Sequence, residues 1–170
     1  MRRALALALL LLLVAGWATT DWWLPPERIA APSARVIDGD SMRLSGAGDV
    51  RIHGIDAPEY RQSCMTAEGN PWPCGRAARA QLEALVLAGG IDCIVEARDG
   101  FGRAIAHCSA AGTEDVGAAM VEAGLALSPA ERGTAPYAAQ EESARAARRG
   151  IWQGEFQTPT EWRTAHPRGN

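Results

Sequence analysis

The chain has 170 residues, 47% of them hydrophobic, and a formal charge of −3 at pH 7. This length fits one globular domain with short flanking segments. All 17 basic residues are arginine, and the 20 acidic residues outnumber them. The negative balance excludes a protein that binds nucleic acid through a broad basic surface, so any such contact must come from a local arginine site.

The first 23 residues have the pattern of an export sequence. A positive start, Met1 to Arg3, precedes an apolar run from Ala4 to Ala15. Residues 16–18 (Gly-Trp-Ala) offer a small-x-small cleavage site, whereas the nearby tryptophans would suit a membrane interface. Residues 1–23 therefore predict a cleaved signal peptide or an N-terminal membrane anchor. Both alternatives place the rest of the chain outside the cytoplasm, in the periplasm or secreted.

Residues 24–33 contain three prolines and predict a linker. The segments that follow have strand or helix patterns bounded by turn residues. In chain order, these are strands at 34–38, 41–44 and 50–55, a helix at 75–87, strands at 91–97 and 103–108, and helices at 114–122 and 137–149.

This order predicts an α+β fold, mainly β: a five-stranded OB-fold barrel with about three helices packed against it. The domain would cover residues 34–153 and leave 154–170 as a C-terminal tail. Trp152 and Trp162 are interpreted as packing of that tail against the barrel.

The four cysteines support an oxidising compartment, where an even number indicates two disulfides. Their spacing contains no C-x2-C pair, which disfavours a zinc site. Cys93 and Cys108 are equidistant from the Gly100-Phe101 turn, so a simple hairpin places them opposite each other. We therefore expect a Cys93–Cys108 cross-strand disulfide, which leaves Cys64 to pair with Cys74.

Acidic residues cluster at the ends of predicted strands. Asp38-Gly39-Asp40 alone is adequately explained as a turn, and so is the segment from Asp56 to Glu59. If the two strands pair, however, the acids converge and repel one another, and a divalent cation commonly holds such a cluster. Oxygen ligands without histidine or thiolate favour calcium or magnesium. Arg51 and Arg103 add guanidinium groups that suit a phosphate.

Several segments in the right order resemble the staphylococcal nuclease-like (thermonuclease) family. They cover about residues 34–153 and are Val36-Ile37-Asp38-Gly39-Asp40-Ser41, Arg51-Ile52-His53-Gly54-Ile55-Asp56-Ala57-Pro58-Glu59, Phe101-Gly102-Arg103, Met120-Val121-Glu122-Ala123-Gly124-Leu125-Ala126 and Gly150-Ile151-Trp152. The resemblance implies an OB-fold nuclease that uses Ca2+ to hydrolyse DNA and RNA, with products that end in 3′-phosphate.

The resemblance also implies a role for each matching residue. Asp40 and Asp56 resemble the metal-binding carboxylates, with Ala57 supplying a backbone carbonyl and Asp38 an outer-shell acid. A second set acts on the substrate: Glu59 would orient or deprotonate the attacking water, while Arg51 and Arg103 would bind the phosphate. The chain departs from the family at Ser41, Ala57 and Phe101, and the segment after Ala126 lacks the tyrosines that stack on the nucleotide.

The sequence therefore predicts an exported, monomeric, calcium-dependent nuclease whose partner is DNA or RNA, with membrane attachment left open. The first alternative is a non-catalytic OB-fold binding module of the cell envelope. A third reading is a structural envelope protein, which would not need the acids. The complete set of acids and arginines favours the enzyme over both.

Overall fold

The computed structural model describes residues 25–130, 133 and 135–167. The predicted signal peptide or anchor, residues 1–23, lies outside the described residues. Within the described part of the chain, no helix is both long and apolar enough to cross a membrane.

Six strands form one curled mixed sheet, a half-barrel, and two short strands pair separately. The strands are β1 (Arg28–Ala31), β2 (Ala34–Val36), β3 (Ser41–Leu44), β4 (Gly48–Ile52), β5 (Cys64–Met65), β6 (Pro71–Trp72), β7 (Ile91–Arg98) and β8 (Ala104–Ser109). The order in the large sheet is β1-β7-β8-β4-β3-β2. Only β4 and β8 pair in parallel; every other neighbouring pair in this sheet is antiparallel.

Among the described residues, four helices and a short 3-10 helix accompany the sheet. They are α1 (Cys74–Val86), α2 (Val116–Glu122), α3 (Ala138–Ala146), the 3-10 helix (Gly150–Gln153) and α4 (Pro159–Ala165). Helix α1 buries Ala78, Leu82 and Val86 in the same core as the strand residues Val50 and Ile52. This alternation on β4 leaves Arg51 on the opposite face, as its position between two buried residues predicts.

The predicted fold class, α+β and mainly β with an OB-like barrel, is confirmed. All five predicted strands occur in the large sheet, and β1 is a sixth. Residues 28–31, assigned above to a linker, pair with β7 because the prolines lie outside the strand and no ladder N–H group is lost. The predicted tail contains a fourth helix, α4.

The structure contains the two expected disulfides, Cys64–Cys74 and Cys93–Cys108. Cys93 lies opposite Cys108 in the β7–β8 ladder, the register that the symmetric hairpin predicts. A β-bulge between Val95 and Ala97 then shifts the pairing by one residue toward the turn. The Cys64–Cys74 bond joins β5 to the first residue of α1, and Trp152 and Phe156 pack beside it.

Candidate active site

The Asp38-Gly39-Asp40 segment forms a tight turn between β2 and β3. The Asp40 N–H donates to Asp38 Oδ1 at 3.2 Å, so the Asp38 side chain stabilises the turn. A Cβ atom on Gly39 would lie 2.6 Å from the Cβ of Ala57 and 2.7 Å from that of Ala78. Only glycine allows this approach, which brings the following acid against the loop that carries Ala57.

Asp40 is almost completely buried, with 4% of its surface exposed. Its carboxylate accepts hydrogen bonds from the Ser41 hydroxyl at 2.7 Å, Arg51 Nη1 at 2.9 Å and the Ala57 N–H at 3.3 Å. Burial nevertheless raises the pKa of Asp40 to about 7, outweighing the lowering by Arg51, and the nearby Asp38 charge raises it further. The cost of burying this carboxyl is therefore only partly offset by its hydrogen bonds and by the charge of Arg51.

Arg51 joins the two predicted metal-binding acids. The β3–β4 register places it opposite Ser41, the residue that follows Asp40, and within hydrogen-bond distance of the Asp40 carboxylate. Nη2 of the guanidinium donates to Asp56 Oδ1 at 3.1 Å and to the Ile55 carbonyl at 3.3 Å. The Asp56 backbone is fixed in turn by two hydrogen bonds with Leu127, each 3.0 Å long. One guanidinium thus holds both carboxylates together, as the convergence of strand ends predicts.

Glu59 lies on a tightly constrained loop three residues beyond Asp56. Its N–H donates to Gln62 Oε1 at 3.1 Å, and the Gln62 N–H donates back to the Glu59 carbonyl at 2.7 Å. The N-terminus of α1 passes close to this loop, because a Cβ atom on Gly75 would lie 1.8 Å from the Glu59 carbonyl oxygen. The backbone of the candidate general base is therefore determined by its contact with α1.

Arg103 reaches the site from the β7–β8 turn. Its Nε donates to Asp99 Oδ2 at 3.0 Å, and its Nη1 donates to the Ser41 hydroxyl at 3.3 Å. Ser41 in turn donates to Asp40, so Arg51 contacts the aspartate and Arg103 the serine of one hydrogen-bonded pair. The parallel pairing of β4 with β8 brings Arg103, which just precedes β8, to the side of the sheet where Arg51 lies.

The sequence analysis missed two site residues, both on α4. Arg163 Nη1 donates to Asp56 Oδ1 at 3.0 Å and to Glu59 Oε1 at 3.1 Å, and its Nη2 donates to Asp56 Oδ2 at 3.1 Å. The Thr160 hydroxyl donates to Asp56 Oδ2 at 3.3 Å. Hydrogen bonding to Asp56, more than to Glu59, raises the pKa of Arg163 above its already high value. A capping-box pattern, Thr158-Pro159-Thr160-Glu161, could have indicated this helix.

A groove with a volume of about 1220 Å3 opens beside Glu59. Its walls include Glu59, Tyr60, Arg61, Trp162, Arg163 and His166. The Trp162 ring stacks on His166 with a centroid distance of 4.3 Å and an interplanar angle of 17°. Trp162 therefore lines an open groove. Trp152, by contrast, packs against the Cys64–Cys74 cluster, as predicted for a residue that packs the tail.

The donor set fits a hard divalent cation. Asp40 and Asp56 provide carboxylate oxygens without sulfur or imidazole, the chemistry that calcium and magnesium prefer. Residues 25–130, 133 and 135–167 contain no cluster of three or more His, Cys, Asp or Glu suited to a metal ion. A cation would therefore need water, substrate or backbone oxygens to complete its coordination.

Two comparisons with known proteins bear on this arrangement. The family model described as "Staphylococcal nuclease homologue" matches residues 49–154. The chain is also similar to the "Succinoglycan biosynthesis protein ExoI" of Rhizobium meliloti (strain 1021), with 31% identity over 123 residues. That alignment covers 72% of this chain and 64% of the relative, so the chain spans less than two thirds of the relative's length. On the extent of the family match, the chain belongs to the staphylococcal nuclease homologue family.

Proposed function

We propose that this protein is an exported, calcium-dependent nuclease that acts as a monomer and hydrolyses DNA or RNA to products with 3′-phosphate ends. The observation that carries the proposal is the guanidinium of Arg51 between the carboxylates of Asp40 and Asp56, with hydrogen bonds of 2.9 and 3.1 Å. Glu59 and Arg103 adjoin this unit, and the chain belongs to a nuclease family. Together these groups can bind a phosphodiester and activate water.

Asp40 and Asp56 would hold the calcium ion, with the Ala57 carbonyl as a further ligand and Asp38 outside the first shell. When bound, calcium supplies electrostatic polarisation of the phosphate and acidification of water. The chain's own arginines have a separate task. Arg51 and Arg103 would donate to non-bridging phosphate oxygens and neutralise the charge that develops in the transition state, often the largest electrostatic contribution of a protein.

Glu59 is the candidate general base in this proposal. Its carboxylate would accept the proton of the attacking water, or orient that water for in-line attack. The hydrogen bonds between the Glu59 and Gln62 backbones and the contact with Gly75 hold its position. Bond cleavage would then release the 5′ oxygen and leave the phosphate on the 3′ side.

Export is supported by the N-terminal pattern and by the two disulfides, which are typical of oxidising compartments. In the proposal, residues 1–23 direct or anchor the chain outside the cytoplasm. Cell fractionation of the full chain with a C-terminal tag tests this proposal, because recovery in the cytoplasm with reduced cysteines would contradict it.

The activity is tested with the purified protein and single-stranded DNA or RNA, first with calcium and then with excess chelator. We expect cleavage with calcium, none with chelator, and 3′ ends that release phosphate on phosphatase treatment. Glu59→Gln should lower turnover at least roughly 10²-fold, the usual effect of losing a general base. Glu68→Gln, which changes an exposed acid on the following loop, is the matched control. Wild-type turnover by a folded Glu59→Gln protein would contradict the assignment.

The second candidate is a role without nucleic-acid cleavage, as a binding module of the cell envelope. The name of the relative assigns that protein to succinoglycan biosynthesis, which favours this candidate as the one to test next. Absence of DNA and RNA cleavage by the calcium-loaded wild type would support it. Retention of nucleic-acid or polysaccharide binding by that inactive protein would distinguish a binding module from a purely structural protein.

A further inference from the structure

Helix α4 places a positive charge directly on the acids proposed to bind calcium. The Arg163 guanidinium spans both oxygens of Asp56 and one oxygen of Glu59, at 3.0 to 3.1 Å. The Asp56 and Glu59 side chains are only 11% and 18% exposed, so these contacts are partly shielded from water. A cation supplied by the protein itself thus lies beside the acids to which an external cation would bind.

The contacts leave Asp56 without an open coordination position. Oδ1 accepts from both Arg51 and Arg163, and Oδ2 accepts from both Thr160 and Arg163. An ionised carboxylate has about four lone-pair positions in total. A metal ion therefore has to displace at least one donor. Three of the four bonds come from Arg163 and Thr160 on α4, and the fourth comes from Arg51.

The position of α4 is itself linked to the Glu59 loop. The buried Gln62 side chain accepts from the Glu59 N–H at 3.1 Å and donates to the Gln157 carbonyl at 2.7 Å, just before the helix. The Thr158–Glu161 capping box then starts α4, and Pro159 is buried. The Gln62–Gln157 hydrogen bond and the capping box thus hold α4 against the Glu59 loop. In this position Arg163 lies beside the acids.

We propose that Arg163 is an internal competitor of the divalent cation at Asp56. With α4 docked, the guanidinium excludes the ion; with α4 released, Asp56 can coordinate it. This inference rests on the proposed function for the identity of the ion. Because such coupling is reciprocal, calcium must weaken the docking of α4 by the same factor by which docking weakens calcium binding.

Calorimetric titration of the full chain with calcium chloride tests the competition. Arg163→Ala and Arg163→Gln should each bind calcium about tenfold more tightly than wild type, the effect of removing roughly one charge-assisted hydrogen bond that competes with the ion. Arg28→Ala removes an arginine from an exposed ion pair with Asp92 and serves as the matched control with unchanged affinity. Two substitutions at position 163 are used so that the test can still be made if one variant does not fold.

Hydrogen exchange supplies a second readout. In wild type, calcium should accelerate amide exchange in residues 160–166, and in Arg163→Ala this segment should exchange rapidly even with chelator. Equal or weaker calcium affinity in both variants would overturn the competition. So would calcium binding by neither wild type nor variants, or calcium binding by wild type without faster exchange in α4.

The nuclease assay separates this inference from the proposed function. Tight calcium binding by Arg163→Ala together with no cleavage of DNA or RNA would defeat the nuclease and leave the competition intact. Cleavage by wild type together with unchanged calcium affinity in the variants would defeat only the competition. If Arg163→Ala also lost cleavage at unchanged affinity, Arg163 would instead be a phosphate-binding residue.

Discussion

The candidate active site has two halves that are held by different kinds of structure. The sheet half consists of Asp40, Ser41 and Arg51, and its contacts follow from the register of adjacent strands β3 and β4. In the helix half, Asp56 and Glu59 contact α4, whose Arg163 side chain is 39% exposed. The Arg51 side chain is less exposed, at 27%, and an ion pair becomes less costly to break as its exposure increases. The difference indicates a rigid half built into the barrel and a half that an appended helix can open.

Arg51→Ala should break the sheet half and have the largest effect. Without the guanidinium, the buried Asp40 carboxylate loses its charged partner, and we expect a loss of about 3 kcal/mol in unfolding free energy at pH 8. Turnover should fall at least roughly 10²-fold because a preorganised electrostatic group is gone. Urea unfolding with chelator and the DNA assay measure the two effects. Arg43→Ala, from an exposed pair on β3, is the control; equal stability losses in the two variants would contradict the comparison.

Gly75→Ala tests how α1 fixes the helix half. The new Cβ atom would lie 1.8 Å from the Glu59 carbonyl oxygen and 2.6 Å from the Glu59 carbonyl carbon, so the backbone must shift. We expect a stability loss of about 1–3 kcal/mol from overpacking and a lower turnover, because Glu59 moves. Thermal unfolding and kinetics measure both. Gly100→Ala meets no atom within 4 Å and should leave both values unchanged; a Gly75→Ala protein that matches it would refute this contact.

Thr158→Ala tests the stability of the helix half and should have the smallest effect of the three substitutions. Loss of the side-chain cap should weaken α4 by about 1 kcal/mol. We expect faster amide exchange in residues 160–166 and an unchanged global melting temperature, because the barrel does not depend on this helix. Thr158→Ser keeps the hydroxyl and should behave like wild type. A drop in global melting temperature for Thr158→Ala would indicate that α4 is as integral as the sheet half.

The sequence predicted the sheet half because its determinants are local. Alternation along residues 50–52 assigns Arg51 to the face opposite the core, and the symmetry of the β7–β8 turn places Cys93 opposite Cys108. Strand β1 was missed because proline-rich surroundings obscured a short segment whose partner lies on β7. The bulge between Val95 and Ala97 could not be predicted, because the symmetric turn indicates an uninterrupted hairpin.

The helix half could be predicted only in part. Asp56 and Glu59 were identified from the clustering of acids at strand ends, and their separate roles came from the family resemblance. The capping box near Thr158 could have indicated α4. The target of Arg163 could not be deduced, because no periodicity or spacing links residue 163 to residues 56 and 59. Such a contact depends on how the chain from Gly154 onward runs along β5, where the Met65 N–H donates to the Glu155 carbonyl at 2.8 Å.

The parallel pairing of β4 with β8 has a consequence for the rate at which the protein folds. Val50 pairs with Ala104, so the chain must close a large loop before Arg103 can approach Ser41. Loop closure is entropically unfavourable and precedes the contacts that offset it, which makes non-local pairings slow to form. Partly folded chains that lack this pairing therefore lack the site between the two arginines. In a refolding experiment, phosphate binding should appear only with the slowest step of sheet formation, after the β3–β4 hairpin has formed.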